Sequence, residues 1–317
     1  MYALGPGLCL WLAMAAPAAA QDAHLVVVTG VAGDEEHATQ FQAWAAAVVD
    51  HAKKSGLPAA NVAYVGERPE RDAARIQARS TRESVTKAVN DAAARAKPGD
   101  DVFVLLIGHG SFDGKDAAFN LPGPDLTVAE WGKLLDQFVD ERVVFINTAS
   151  SSGAFVEPLK KTGRTIVTAT KTGGERNEPR FAQYFVEGLS SEGGDKDRNG
   201  RISILEAFEF ALAKVKEVYE QGGHILTEHA VLEDSAQGKL AGAAFITPDK
   251  TRAAIAQATD PAVRALMEQQ SDLERQVAAL RLKKDLMDPA EYDRQLEKLL
   301  TDLALKTREV RERESKK

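Results

Sequence analysis

The chain has 317 residues, enough for one sizeable domain and an appendage, and its 44 % hydrophobic and 27 % charged content is that of an ordinary globular protein. A net charge of −7 excludes the basic footprint of a nucleic-acid binder and leaves room for a cation site. Cys9 is the one cysteine, which rules out an internal disulfide and, once residues 1–20 are removed, any cysteine nucleophile or thiolate metal ligand.

The chain starts with an apolar stretch running into small residues, with an A-x-A pattern at Ala18–Ala20. It predicts a signal peptide over 1–20 and an exported protein, periplasmic or secreted, although no Lys or Arg precedes the apolar part. No other stretch approaches the length needed to span a bilayer. From residue 24 onward, short apolar runs alternate with amphipathic stretches. "HLVVVTG" (24–30), "NVAYVG" (61–66), "DVFVLLIG" (101–108), "VVFIN" (143–147) and "TIVTAT" (165–170) read as strands, with "AAFIT" (243–247) as a last one. Their continuous rather than alternating hydrophobicity points to strands buried on both faces of a parallel sheet. Helical patterns over 36–54, 82–96, 127–138 and 178–190 lie between them, so the expected class is α/β with helices layered on the sheet, over residues 21–250.

Composition changes after residue 250. Residues 251–317 lack glycine and carry two apolar stripes, Leu266, Leu273, Val277 and Leu280, then Tyr292, Leu296, Leu299, Leu303 and Val310. Asp288 before Pro289, with Glu291 three residues on, is a helix start signal between them. An antiparallel helical hairpin or coiled coil follows, suited either to packing on the main domain or to oligomerisation and partner binding.

Two strand ends carry candidate chemistry. In "VFVLLIGHGSFDG", His109 sits between two glycines just past a buried strand; in "VVFINTASSSGAF", three serines and a glycine follow the next. Adjacent parallel strands would bring both turns to the rim where ligands bind in open α/β sheets. In this order and spacing the motifs resemble the caspase-like peptidases, most closely the legumain-type branch. "TIVTATKTGGERNEPRFAQYF" and "GVAGDEEHATQFQAW" extend the resemblance over about residues 24–190. It implies a caspase-like three-layer sandwich with a mostly parallel six-stranded sheet, a dyad of histidine and nucleophile at His109 and Ser150, and a substrate pocket at Glu36 and His37. Three positions depart from the pattern. Ser150 replaces the nucleophilic cysteine, Thr148 an acidic residue, and Glu36 an arginine that would line the pocket. A serine hydroxyl is far less acidic than a thiol and needs a well-oriented base, so the expectation is a pseudopeptidase whose serines cap the following helix. The alternative is a hydrolase using Ser150 and His109.

"DKDRNGRISILE" (195–206) resembles an EF-hand calcium loop. Asp195, Asp197 and Asn199 take positions 1, 3 and 5, Gly200 the sharp turn at 6, the Arg201 carbonyl 7, Ser203 9 and Glu206 12. Ca2+ is the implied cofactor, because the set consists of hard oxygen donors. His224, Glu228 and His229 make a weaker metal candidate, since their spacing does not put both histidines on one helical face. The partner implied is a protein or peptide rather than nucleic acid or a membrane.

Overall fold

A computed structural model describes residues 22–248, 254–255, 258–281 and 287–314. Residues 1–20, with Cys9 and the expected signal peptide, lie outside the described residues.

The continuous apolar runs form a sheet buried from both sides. Strands β1 (Ala23–Thr29), β2 (Val62–Gly66), β3 (Ala78–Arg79) and β4 (Asp101–Ile107) come first, interleaved with helices α1 (Glu35–Lys54) and α2 (Arg82–Arg95). A small antiparallel meander follows, β5 (Gly110–Phe112), β6 (Ala117–Phe119) and β7 (Leu126–Thr127), then α3 (Val128–Leu135) and β8 (Arg142–Asn147). The chain continues through α4 (Val156–Leu159), β9 (Arg164–Thr168), α5 (Phe181–Ser190), α6 (Ile204–Gln221), β10 (Val231–Glu233) and α7 (Lys239–Gly242). The main sheet has seven strands in the order β10-β9-β8-β4-β1-β2-β3, parallel throughout except for β10.

Successive residues of a strand point to opposite faces, and the core divides accordingly. On one face Leu25, Val27, Phe103, Leu105 and Ile146 pack with Phe41 of α1, Phe185 of α5 and Ala207 of α6. On the other, Val26, Val104, Leu106 and Phe145 pack with Val89 of α2 and with Trp131 and Leu135 of α3. Two helical layers thus enclose the sheet, as the strand composition predicts.

Two differences from the sequence reading concern the sheet edges. The two-residue β3, too short to show periodicity, makes the sheet seven-stranded rather than six-stranded. The stretch 243–247 is not a strand. Its alternating burial has another cause: Ala244 and Ile246 are buried, while the Ala244 carbonyl accepts from Ile204 N–H at the start of α6. The antiparallel edge is instead β10, paired with β9 through Val231–Thr168 and Glu233–Ile166.

Beyond the main domain, the helices Pro261–Arg281 and Pro289–Glu314 pack against each other. The N-terminal part of the first helix, through Ala265 and Leu273, and the C-terminal half of the second, through Asp302 and Glu309, line one groove, as in an antiparallel pair. Asp288 caps the second helix by accepting from Glu291 N–H at 3.0 Å. Of the two stripes, Val277, Leu280, Tyr292 and Val310 are buried, and Leu266, Leu273, Leu296, Leu299 and Leu303 are half-buried.

Phe145 of β8 is fully buried between Trp131 and Phe155, with ring centroids 5.4 and 6.2 Å away. Phe145→Ala is expected to cost about 3–5 kcal/mol, read as a lowered denaturant midpoint at an unchanged slope.

Candidate functional site

Strands β4 and β8 are parallel neighbours with Leu106 opposite Asn147, so the turns that follow them share one rim. The Thr148 N–H and hydroxyl both donate to the Leu106 carbonyl, at 3.0 and 2.8 Å, stapling the two strand ends together. His109 and Ser150 therefore do come close in the fold, as their positions in the sequence imply.

They are not joined as a dyad. The Ser150 hydroxyl donates to the Gly110 carbonyl at 3.2 Å and accepts from Gly110 N–H at 3.4 Å. Among the described residues no hydrogen bond links it to the His109 ring. His109 Nε2 lies 3.1 Å from the Ala32 carbonyl. A carbonyl can only accept, so Nε2 carries the proton in the neutral ring. The ring packs edge-on against Phe41 and His37, with centroids 5.3 Å away in each case. Ser150 is 6 % exposed, Ser151 2 % and Ser152 fully buried, so a nucleophile here would have little access to a substrate.

The serines do not cap the next helix either. Ser151 takes a left-handed conformation (φ 57°) before the 3-10 turn Ser152–Phe155 and makes no side-chain cap. Ser152 Oγ instead accepts from Ala169 N–H and Thr170 N–H, at 3.1 and 3.2 Å, tying this turn to the end of β9. Gly153 completes the tie: a Cβ there would meet the Lys171 carbonyl carbon at 2.2 Å. The hydroxyls satisfy backbone groups that a turn buried among three strand ends would otherwise leave unpaired.

The two residues expected in a substrate pocket separate. Glu36 is exposed on the first turn of α1 and accepts from Gln40 Nε2 at 3.3 Å. His37 turns toward His109 and is held between two carboxylates, with Nδ1 2.6 Å from Asp34 Oδ2 and Nε2 2.6 Å from Glu178 Oε2. Both ring nitrogens face acceptors, which fits the imidazolium form. The Glu178 carboxylate, followed by that of Asp34, raises the His37 pKa above its ordinary value. Asp34 also caps α1 through His37 N–H, and this bond, followed by the ring, holds its carboxyl below the usual range. Asp34 is legible in the sequence as a helix N-cap; Glu178 lies in a loop, and nothing in the sequence marks it as the second partner.

The loop between α5 and α6 brings its acidic residues together. Carboxylate oxygens of Asp195, Asp197 and Glu206 all lie within 4.8 Å of one another. The loop backbone is organised from inside: Asp195 accepts from Asn199 N–H and Gly200 N–H at 3.0 and 2.8 Å, and the Asn199 side chain accepts from Arg201 N–H at 2.8 Å. Arg198 and Gly200 take positive φ values of 59° and 82°, giving the sharp reversal expected at this point. Glu206 turns one oxygen to the N–H groups of Lys196 and Asp197 and the other to Ser203, with which it forms a capping box at the start of α6. Burial raises the Asp197 pKa, and the neighbouring Glu206 and Asp195 charges raise it further. A cation among these oxygens would relieve that repulsion, and a hard-oxygen set of this kind suits Ca2+. The Arg201 side chain leaves the cluster, bonding the Thr247 carbonyl at 2.7 Å and lying 4.0 Å above the Phe245 ring.

The weaker metal candidate has a structural role. Glu228 is buried and accepts from Arg180 N–H and Phe181 N–H, at 2.9 and 3.0 Å, at the start of α5. Burial pushes its pKa up against those bonds. His229 Nδ1 lies 3.3 Å from Glu175 Oε1, and His224 is not brought into a cluster with either residue among the described residues.

Neither protein-family models nor curated proteins give a match to this chain. No helix among the described residues is long and apolar enough to cross a membrane.

The His37 clamp carries a pH dependence. Because its folded pKa is raised, its contribution to stability is full below the unfolded value near 6.5 and is lost as pH rises through the folded value. NMR titration of the His37 ring is expected to give a midpoint above 6.5, and Glu178→Gln to lower it. A wild-type midpoint at or below that value contradicts the clamp.

Proposed function

We propose that this protein is an exported, legumain-like pseudopeptidase that serves as a binding or scaffold module and carries one calcium site. The observation that carries the reading is the hydrogen bonding of Ser150: its hydroxyl is spent on the Gly110 backbone, and His109 is turned to the Ala32 carbonyl. A serine nucleophile needs its base within hydrogen-bond reach, and here the base and the hydroxyl each have another partner. The caspase-like character of the sheet rests on the order of its parallel strands and on the two motif-bearing turns at one rim. The apolar leader before residue 21 supports export. A rim with buried serines and an ionised His37 nearby suits recognition of a protein or peptide without turnover.

In the calcium loop, Asp195, Asp197, Asn199 and Glu206 would supply side-chain oxygens, Arg201 its carbonyl, and Ser203 its hydroxyl directly or through water. Bound Ca2+ would neutralise the acidic cluster and fix the α5–α6 connection on which Ile204 and Arg201 dock the 244–247 segment.

Two experiments test the reading. A serine-directed acylating reagent is expected to leave the protein unlabelled; labelling that disappears in Ser150→Ala would establish the hydrolase alternative. Calcium at about a hundred times its dissociation constant is expected to stabilise the fold by about 2.7 kcal/mol, read as a rise in melting temperature. Glu206→Gln keeps an acceptor for the Ser203 capping box but removes the charge, and it is expected to abolish that rise. An unchanged melting temperature in calcium refutes the site.

A further inference from the structure

The second hairpin helix, Pro289–Glu314, has one face turned to the first hairpin helix and, beside that face, a surface on which apolar residues are exposed. Leu300 is 41 % and Leu305 46 % exposed, on a shallow groove that also includes Leu296 and Ala304 and is bounded by Asp293 and Arg308; Leu305 also borders the groove shared with the first hairpin helix. Leu300 and Leu305, with Leu296 and Ala304, form a small apolar patch spread around one side of the helix, which a partner helix would cover. The order of residues along this face identifies which partner fits.

The face is self-complementary under reversal. Turning the helix end for end about the midpoint between Leu300 and Thr301 places Asp293 on Arg308, Leu296 on Leu305, Glu297 on Ala304 and Leu300 on Thr301. All eight residues lining the groove are accounted for by these four pairs. A second copy laid antiparallel across the face would set Leu300 against Thr301 at the centre, Leu296 against Leu305 on either side of it, and make the Asp293–Arg308 ion pair twice, once at each end. A parallel arrangement would set Asp293 against Asp293 and Arg308 against Arg308, which repel. Arg308 already lies 3.5 Å from Glu312 on its own helix, so its guanidinium is held on this side of the helix. A patch that maps onto itself by a two-fold rotation is what an isologous dimer interface requires.

We infer that the outer face of the Pro289–Glu314 helix is a homodimer interface, occupied by the same helix of a second copy in an antiparallel register centred between Leu300 and Thr301. The two hairpins then form an assembly of four helices, and the two main domains are carried at a separation set by the hairpins. This inference does not depend on the calcium loop or on the state of the Ser150 turn.

Sedimentation velocity on the full chain over about 1–100 μM is the test, run in chelator so that calcium binding has no part in the outcome. Wild type is expected to sediment as a dimer. Asp293→Arg and Arg308→Asp each turn both end pairs into like-charge contacts and are expected to weaken the dimer about tenfold. The combined variant re-forms both pairs with reversed polarity and is expected to return to within about threefold of wild type. Leu300→Glu is expected to be monomeric with unchanged helical circular dichroism. A monomeric wild type throughout the range, a dimer that survives Leu300→Glu, or failure of the combined variant to recover would each overturn the inference.

Discussion

The pairing of β4 with β8 is the constraint on which the rest of this structure depends. Both strands are apolar on both faces, so neither can sit at an edge, and the sheet must place them side by side between two layers of helices. Their register, with Leu106 opposite Asn147, determines that the turn after His109 and the serine turn share a rim. The Thr148 bonds to the Leu106 carbonyl hold that register at its end. Every later feature of the rim, from Ser150 on Gly110 to Ser152 on the end of β9, is built on strands already aligned by burial.

This arrangement brings the His109 and Ser150 turns to one rim and gives each side chain a backbone partner. Backbone groups at the ends of buried strands need partners, and the hydroxyls of Ser150 and Ser152 supply them. Ser150 satisfies Gly110, and Ser152 satisfies Ala169 and Thr170. A hydroxyl used in this way contributes to the fold. Nearby, His37 is clamped by Asp34 and Glu178 and joins the start of α1 to the loop before α5. The rim is therefore tied together across elements far apart in the chain.

The loop between α5 and α6 follows a different logic. There the acidic side chains are drawn together by the backbone turns they cap, and burial, followed by the neighbouring Glu206 charge, raises the Asp197 pKa. A cation would convert that cost into stabilisation. Arg201 and Ile204 couple the loop to the 244–247 segment, so order in the loop extends to the end of the main domain.

Local chemistry made much of this protein legible from its residues alone. The five long central strands, the helices between them, the cap at Asp288 and the turn at Gly200 all depend on side chains near one another in sequence, and periodicity records them directly. The adjacency of the His109 and Ser150 turns was also readable, because parallel neighbours joined by a helix leave few alternatives. What stayed hidden depends on distant partners. Two-residue β3 is too short to carry a period, and 243–247 has a strand-like pattern because its alternate residues pack inward while the Ala244 carbonyl serves α6. The bonding of Ser150 to Gly110 and the second carboxylate on His37 join residues 40 and 141 positions apart. Sequence thus determined which residues stand at the rim. Only the tertiary structure decided what each one bonds to, because a hydrogen bond between strand ends depends on a register that no single segment contains.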